Sequence, residues 1–276
     1  MHPHLLEIGN FSLTTYGVLA ALGLIVGLIL NVRLARAAGV DEDRAWNLGL
    51  ISILAGIAGA KLLLVINSWD FYSAHPRELW RSNLLQAGGV WYGGFIAAVL
   101  AGMAYATWQK MPILCTWDAF TPGIALGHAI GRLGCFAAGC CYGKPTNMSW
   151  GVVFTDPAAG VTGTPLNVRL HPTQIYEFAA EFFIFLVLMA IIRGNRRSGG
   201  GSLRPNVGAF PGQIVGTYVF LYGIARFFLE FLRDDPERGS VFGGLMSGTQ
   251  LISIFLVILG GALWMRRSPA RQPASA

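Results

Sequence analysis

Charge is what this sequence has least of. Asp, Glu, Lys and Arg make up 12% of its 276 residues, about half the roughly 25% of soluble domains. That shortage excludes a water-covered globular fold. The alternating ten-residue segments of an outer-membrane barrel are missing as well. No C-x2-C pair occurs among the four cysteines, so the usual zinc and thiol–disulfide oxidoreductase spacings are absent. There is no internal repeat. No basic face is interleaved with aromatics, so the net charge of +6 does not indicate nucleic acid as a partner. No Lys or Arg precedes the first apolar run, and that run is too long for a signal-peptide core. The first helix is therefore expected to stay in the membrane.

What is present is continuous apolar sequence. More than half of the residues, 54%, are hydrophobic, and seven runs approach the about 20 residues that span a bilayer as a helix. They cover approximately Tyr16–Leu34, Leu48–Ile66, Val90–Thr107, Leu114–Gly139, Thr173–Ile192, Phe210–Phe231 and Leu245–Met265. The pattern predicts an all-α integral membrane protein, a single polytopic domain over residues 1–276. Eleven Lys and Arg fall in the loops after spans 1, 3 and 5 and in the C-terminal tail. Six fall in the N-terminus and the loops after spans 2, 4 and 6. The positive-inside rule then puts the N-terminus outside and the C-terminus in the cytoplasm. Residues 67–89 and 140–172, rich in Trp, Pro and Asn, are expected to form a small extracytoplasmic cap. The Gly/Ser-rich basic stretch 193–208 reads as a flexible cytoplasmic loop. Gly23, Gly27, Gly56 and Gly59 read as small residues for close helix packing.

The few charges inside the spans carry the functional signal, because such groups are costly and face an interior or a wet cavity. At 1.5 Å per residue, Arg132 lies about 27 Å from the inner end of its span, Arg226 about 24 Å and Lys61 about 20 Å. Glu177 and Glu181 lie one turn apart near the outer end of span 5, and Glu230 one turn beyond Arg226. Tyr16 and Tyr92 stand at the outer ends of their spans. All belong to the outer half of the bilayer. Two guanidinium forks at headgroup depth suit a phospholipid phosphate. The glutamates either orient the arginines or act on substrate.

The motifs then resemble a family. IGNFSLTTYG at 8–17, GGVWYGGF at 88–95, WDAFTPGIALG at 117–127, GRLG at 131–134, HPTQIYE at 171–177 and YGIARFFLEFLR at 222–233 are, in this order, similar to those of prolipoprotein diacylglyceryl transferases. The resemblance covers nearly the whole chain. It implies a seven-helix enzyme of the bacterial cytoplasmic (inner) membrane with no cofactor. Its substrates would be the phospholipid phosphatidylglycerol and the lipobox cysteine of a preprolipoprotein signal peptide, with membrane lipids around it. It implies phosphate binding by Arg132 and Arg226, support from Tyr222 and Glu230, and substrate contacts at Tyr16, Lys61 and Gly143. Lys61 stands where the family usually has arginine. Two departures stand out. Cys135 replaces the family's asparagine after GRxG, and Tyr92 replaces the histidine often assigned to thiol deprotonation. His171, Glu177 and Tyr92 are the substitute candidates for that proton, unranked. His171, before a proline, also reads as a loop hydrogen-bonder.

Cys115 reads as packing. For Cys135, Cys140 and Cys141, on the oxidising side, three readings stand: a disulfide, inert small residues, and a reactive thiol or metal site. The disulfide leads, and the C-x4-C-C spacing argues against metal. The competing functions are a divergent relative with another acceptor, and a transporter or anionic-lipid binder without chemistry. Repeats and midplane charges would mark a transporter, and neither is seen.

Overall fold

A computed structural model describes residues 4–8, 11–80, 89–160, 162–198, 207–234, 240–241 and 244–265. Within them lie seven long helices: α1 (Thr15–Ala37), α2 (Glu42–Asn67), α3 (Trp91–Trp108), α4 (Ile113–Ala138), α5 (Thr173–Ser198), α6 (Gln213–Leu229) and α7 (Gly248–Met265). Five of them, α1, α2, α5, α6 and α7, are long and apolar enough to cross a membrane. α4 carries Asp118, Pro122, His128 and Arg132. Strands are confined to short antiparallel ribbons, one of them a pairing of His4–Ile8 with Phe11–Thr14 that leads into α1. Thr14 caps α1 by accepting from Gly17 N–H at 3.1 Å.

Three helix pairs are built on glycine, as the small-residue pattern anticipates. A Cβ at Gly23 would stand 2.7 Å from the Gly127 carbonyl oxygen, so α1 and α4 touch backbone to backbone. A Cβ at Gly94 would stand 2.9 Å from Gly56 O in the α2–α3 pair, and one at Gly260 2.7 Å from Gly216 O in the α6–α7 pair. Helices that gain nothing from hydrophobic burial against lipid depend on such close approach. α5 packs against α4 and α6, and the α2–α3 pair lies to the side, joined chiefly through α1.

Two buried polar groups fix the register of α4. Pro122 has no N–H and its ring disturbs the ladder. One turn of backbone is re-tied across the interface, with Gly123 N–H donating to Asn31 Oδ1 at 2.9 Å. At the start of α4 the fully buried Asp118 carboxylate accepts from Gly212 N (2.8 Å), Ile214 N (3.0 Å) and Val215 N (3.0 Å). This is an N-cap supplied by another helix, placing charge where the first amides of α6 have no partner. The starts of α4 and α6 therefore sit side by side.

Two sequence boundaries change. α5 runs on to Ser198, so the basic stretch expected as loop from 193 is helical there. Residues 199–206 of it lie outside the described residues, as do 81–88 of the expected cap. The 140–172 segment is folded: Val152–Val153 pairs with Arg169–Leu170, and Phe154, Ala159 and Leu170 form a small core with Phe136 and Tyr142.

Asp118→Ala leaves three buried amides unpaired at once. It is expected to cost about 3 kcal/mol, since hydrogen bonds to a charged group contribute roughly 1.5–3 kcal/mol each and the losses overlap. A fall in the thermal midpoint in detergent is the readout, and an unchanged midpoint would show the cap to be dispensable.

Candidate active site

The C-terminal ends of α4 and α6 meet the start of α5 at Glu177, which is 3% exposed. Arg132 Nε pairs with Glu177 Oε2. Arg233, beyond the short turn Glu230–Leu232, places Nη1 2.8 Å from Glu177 Oε1. One carboxylate thus holds two guanidinium groups from separate segments. Arg132 Nε also donates to His128 Nε2 at 3.2 Å, one helical turn back. His128 Nδ1 lies 2.7 Å from Glu181 Oε1, one turn along from Glu177. With Nε2 accepting, the hydrogen-bond pattern assigns the ring proton to Nδ1, facing the carboxylate. Both nitrogens are committed.

Arg226 completes the group. It is 7% exposed, and its Nη2 pairs with Glu230 Oε2 at 2.7 Å. Ser247 Oγ donates to Glu230 Oε1 at 2.9 Å, holding that carboxylate in place. Arg226 Nη1 is buried and has no hydrogen-bond partner among the described residues. It borders a pocket lined by His128, Glu177, Glu181, Tyr222 and Leu229. Tyr222 stacks on Tyr218 with centroids 5.8 Å apart and tilts toward the His128 ring at 5.9 Å. Three arginines and three glutamates cancel in charge. What the pocket offers an anion is an uncommitted buried donor, not net charge.

The signature loop closes over this cluster. Helix α4 ends at Gly139, whose φ of 80° only glycine adopts freely. Gly143 N donates to His171 O at 3.0 Å, Lys144 N to Leu232 O at 2.8 Å, and Gly143 bridges to Arg233. The loop thereby ties α4, the entry to α5 and the exit of α6 into one knot. Burial pulls the Arg233 guanidinium down, but Glu177 more than offsets this and holds it above its ordinary value. Its charge is secure.

The prolipoprotein diacylglyceryl transferase profile matches residues 3–266. The chain belongs to that family. The relatives include phosphatidylglycerol--prolipoprotein diacylglyceryl transferase of Clostridium tetani (strain Massachusetts / E88), 35% identical over 260 residues, covering 94% of this chain and 95% of the relative. Phosphatidylglycerol--prolipoprotein diacylglyceryl transferase 2 of Clostridium perfringens (strain 13 / Type A) is 35% identical over 257 residues, 93% of this chain and 91% of its own. That of Finegoldia magna is 34% identical over 260 residues, 94% and 93%.

Within this member of the family, the residues singled out in the sequence separate into groups. Arg132, Arg226, Glu177, Glu230 and Tyr222 come together. Tyr16 lies alongside, its backbone and ring against Gly134, where a Cβ would be 3.2 Å from the Tyr16 ring. His171 is engaged in the cap, its Nδ1 3.3 Å from Tyr176 Oη, which also accepts from Trp150 Nε1 at 2.7 Å. Lys61 lines a different, open apolar groove with Leu62, Val65, Leu79 and Ala97. Tyr92, 53% exposed, packs edge-on against Trp91 and has no hydrogen bond to the cluster among the described residues. The sequence reasoning missed His128 and Arg233. His128 stands four residues before Arg132, a helical-face signal that was available. Arg233 was counted only as a loop charge.

No disulfide joins Cys135, Cys140 and Cys141, contrary to the leading reading; all are free thiols. Hydrogen bonding with the Cys135 and Cys140 thiols holds the Cys141 thiol below its ordinary value, aided by Arg233 and Arg132.

Gly143→Ala would put a Cβ 2.6 Å from Leu232 O and 2.7 Å from the His171 Cβ. Overpacking of this kind costs about 1–3 kcal/mol. Gly131→Ala meets nothing within 4 Å and is expected to be neutral. Thermal midpoints of the two variants compared side by side check this, and equal midpoints would contradict it.

Proposed function

We propose that this chain transfers the diacylglyceryl group of phosphatidylglycerol to the lipobox cysteine thiol of a preprolipoprotein, as the names of its relatives state for them. The observation that carries the reading is Arg226 Nη1, a buried guanidinium nitrogen without a partner among the described residues, at the edge of the pocket beside Glu177 and Tyr222. A phosphate oxygen supplies the acceptor it lacks. The acceptor sulfur attacks the glyceryl carbon, the carbon–oxygen bond to phosphate breaks, and glycerol phosphate leaves with the electron pair. A thioether remains. Negative charge grows on the departing oxygen, where fixed guanidinium groups in a water-poor site stabilise it.

The cluster supports this in its details. Arg132 Nε lies against both Glu177 and His128, so its orientation is settled before substrate arrives. Glu181 and His128 act as positioning residues, since neither nitrogen of the ring is free. Glu177, shared by two arginines, is a poor base and a good anchor. Seven membrane crossings, with the N-terminus outside and the C-terminus in the cytoplasm, complete the proposal. The alternation agrees with the meeting of the α4 end, the α5 start and the α6 end at one level. The site then lies under the outer surface of the bacterial cytoplasmic membrane, covered by the 140–172 cap. The lipid enters sideways between helices.

Purified protein supplied with phosphatidylglycerol labelled in its acyl chains and a lipobox peptide is expected to move label to the peptide cysteine. Arg132→Ala should lower the rate by about 10²- to 10³-fold, the usual loss for a charge-stabilising donor. Tyr92→Phe should leave it unchanged. Saturable lipid binding with no label on the peptide would reduce the protein to an anionic-lipid binder.

A further inference from the structure

The three outer cysteines converge in a way their spacing does not announce. The Sγ atoms of Cys135, Cys140 and Cys141 all lie within 4.8 Å of one another. Neighbours in extended chain point to opposite sides. Here Cys141 takes a φ of 63°, left-handed and uncommon for a residue with a side chain, and Gly139 takes 80°. The two turns bring the sulfurs of 140 and 141 back toward Cys135 on the last turn of α4. The backbone that does this is pinned. Cys140 O accepts from Gln174 Nε2 at 2.7 Å, Cys141 O from Thr173 Oγ1 at 2.8 Å, and Gly139 O from Thr164 Oγ1 at 2.6 Å. Gln174, Thr173 and Thr164 are all buried. A loop so restrained presents three thiols at a fixed geometry.

We propose that Cys135, Cys140 and Cys141 are a three-thiolate site for a soft, filled-shell metal ion of the Zn²⁺ class, with a fourth position that takes the acceptor thiol. Zinc–sulfur bonds of about 2.3 Å at tetrahedral angles set sulfurs about 3.8 Å apart, within the span observed. A disulfide would join only two sulfurs, at about 2.0 Å, and strand the third. Three protein ligands with one exchangeable position is the pattern of catalytic rather than structural zinc. Three thiolates and Zn²⁺ carry one net negative charge. Arg132 acts electrostatically on Cys135 and Cys141, and Arg233 interacts with the Cys141 sulfur. Those guanidinium groups cannot ligate, but they offset the excess charge and donate to sulfur.

The fourth position deepens the transferase reading and rests on it; the three-sulfur site does not. The acceptor thiol binds the metal as thiolate and its proton passes to water. The metal-bound sulfur forms the new bond to the glyceryl carbon, the carbon–oxygen bond breaks, and the phosphate oxygen keeps the pair. The thioether product is neutral and a weak ligand, so it leaves. Such activation suits this cluster, where Glu177 is held by two arginines and His128 at both nitrogens.

The test uses the full chain in detergent, purified anaerobically without added reductant and loaded with Zn²⁺ or Co²⁺. About one ion per chain should be retained, and the Co²⁺ form should show thiolate-to-metal charge-transfer absorption. Cys140→Ser and Cys141→Ser should each weaken retention more than tenfold. Retention no greater than in the triple Cys→Ser variant overturns the site, as does a disulfide between any two of the three in the purified protein. A lipobox peptide should strengthen the charge-transfer band and its Cys→Ser version should not; an unchanged band overturns the acceptor's place in the fourth position. Chelator-depleted wild type, which avoids any folding defect of a variant, should lose label transfer and regain it with Zn²⁺. Transfer at the full rate without metal overturns the catalytic role. A peptide-responsive Co²⁺ spectrum with no label transfer leaves the metal site standing and sinks the transferase reading instead.

Discussion

Everything at the outer end of this molecule is arranged around one carboxylate. Glu177 is buried, and a buried charge is tolerated only when it is paired and hydrogen-bonded. Its partners, Arg132 and Arg233, come from the end of α4 and from the chain leaving α6. Glu177 itself opens α5. Satisfying one carboxylate therefore requires three segments to meet. The same requirement fixes the orientation of Arg132. Removing Glu177 would leave two buried guanidinium groups without that carboxylate. The signature loop adds a mechanical link, because Gly143 bridges to Arg233 by backbone and tolerates no side chain while doing so.

The opposite end of the bundle makes this meeting reproducible. Asp118 caps α6 from within α4, fixing the two helices level at their starts. Both then rise at 1.5 Å per residue. Arg132 is fourteen residues beyond Asp118, and Arg226 is fourteen beyond the start of the α6 cap at Gly212. Equal rise from a shared base delivers them to equal height. The glycine contacts between α1 and α4 and between α6 and α7 hold those helices laterally. The α2–α3 pair is outside this scheme. It packs on itself, and its polar residues Lys61 and Tyr92 face their own surroundings.

That division explains what the sequence could disclose. Depth along a helix follows from residue count, so the height shared by Arg132, Arg226, Glu177 and Glu230 was legible. Azimuth and neighbour order do not follow from depth. Lys61 and Tyr92 sit on helices of the side pair, and no count of residues reveals it. Arg233 was hidden for another reason: α6 gives way to a tight turn at Glu230, which folds a residue counted only as a loop charge back under the loop. His128 was hidden only by omission, since its place one turn from Arg132 on α4 is plain. Asp118 needed the fold, because its three partners lie 94 to 97 residues away. The closeness of the three outer cysteines was hidden, because spacing alone assumes ordinary backbone. A left-handed residue at 141 voids that assumption.

The two departures from the family pattern meet at this point. Thiol alkylation needs a thiolate, and a thiolate is obtained either by a base that takes the proton or by a cation that makes its loss favourable. The resemblance places a histidine where this chain has Tyr92, and Tyr92 is exposed on a helix of the side pair. The histidine of that resemblance is thus absent, and both nitrogens of His128 are bound within the cluster. The resemblance also places an asparagine where this chain has Cys135, and that substitution completes a trio of sulfurs beside the same arginines. One change removes a means of ionising the acceptor, and the other supplies ligands for an ion that does so without a base. Tyr92 by itself would cripple the chemistry, and Cys135 by itself would have no evident purpose. Taken together they fit a single exchange, from proton abstraction to the proposed metal activation, beside the same paired arginines and glutamates.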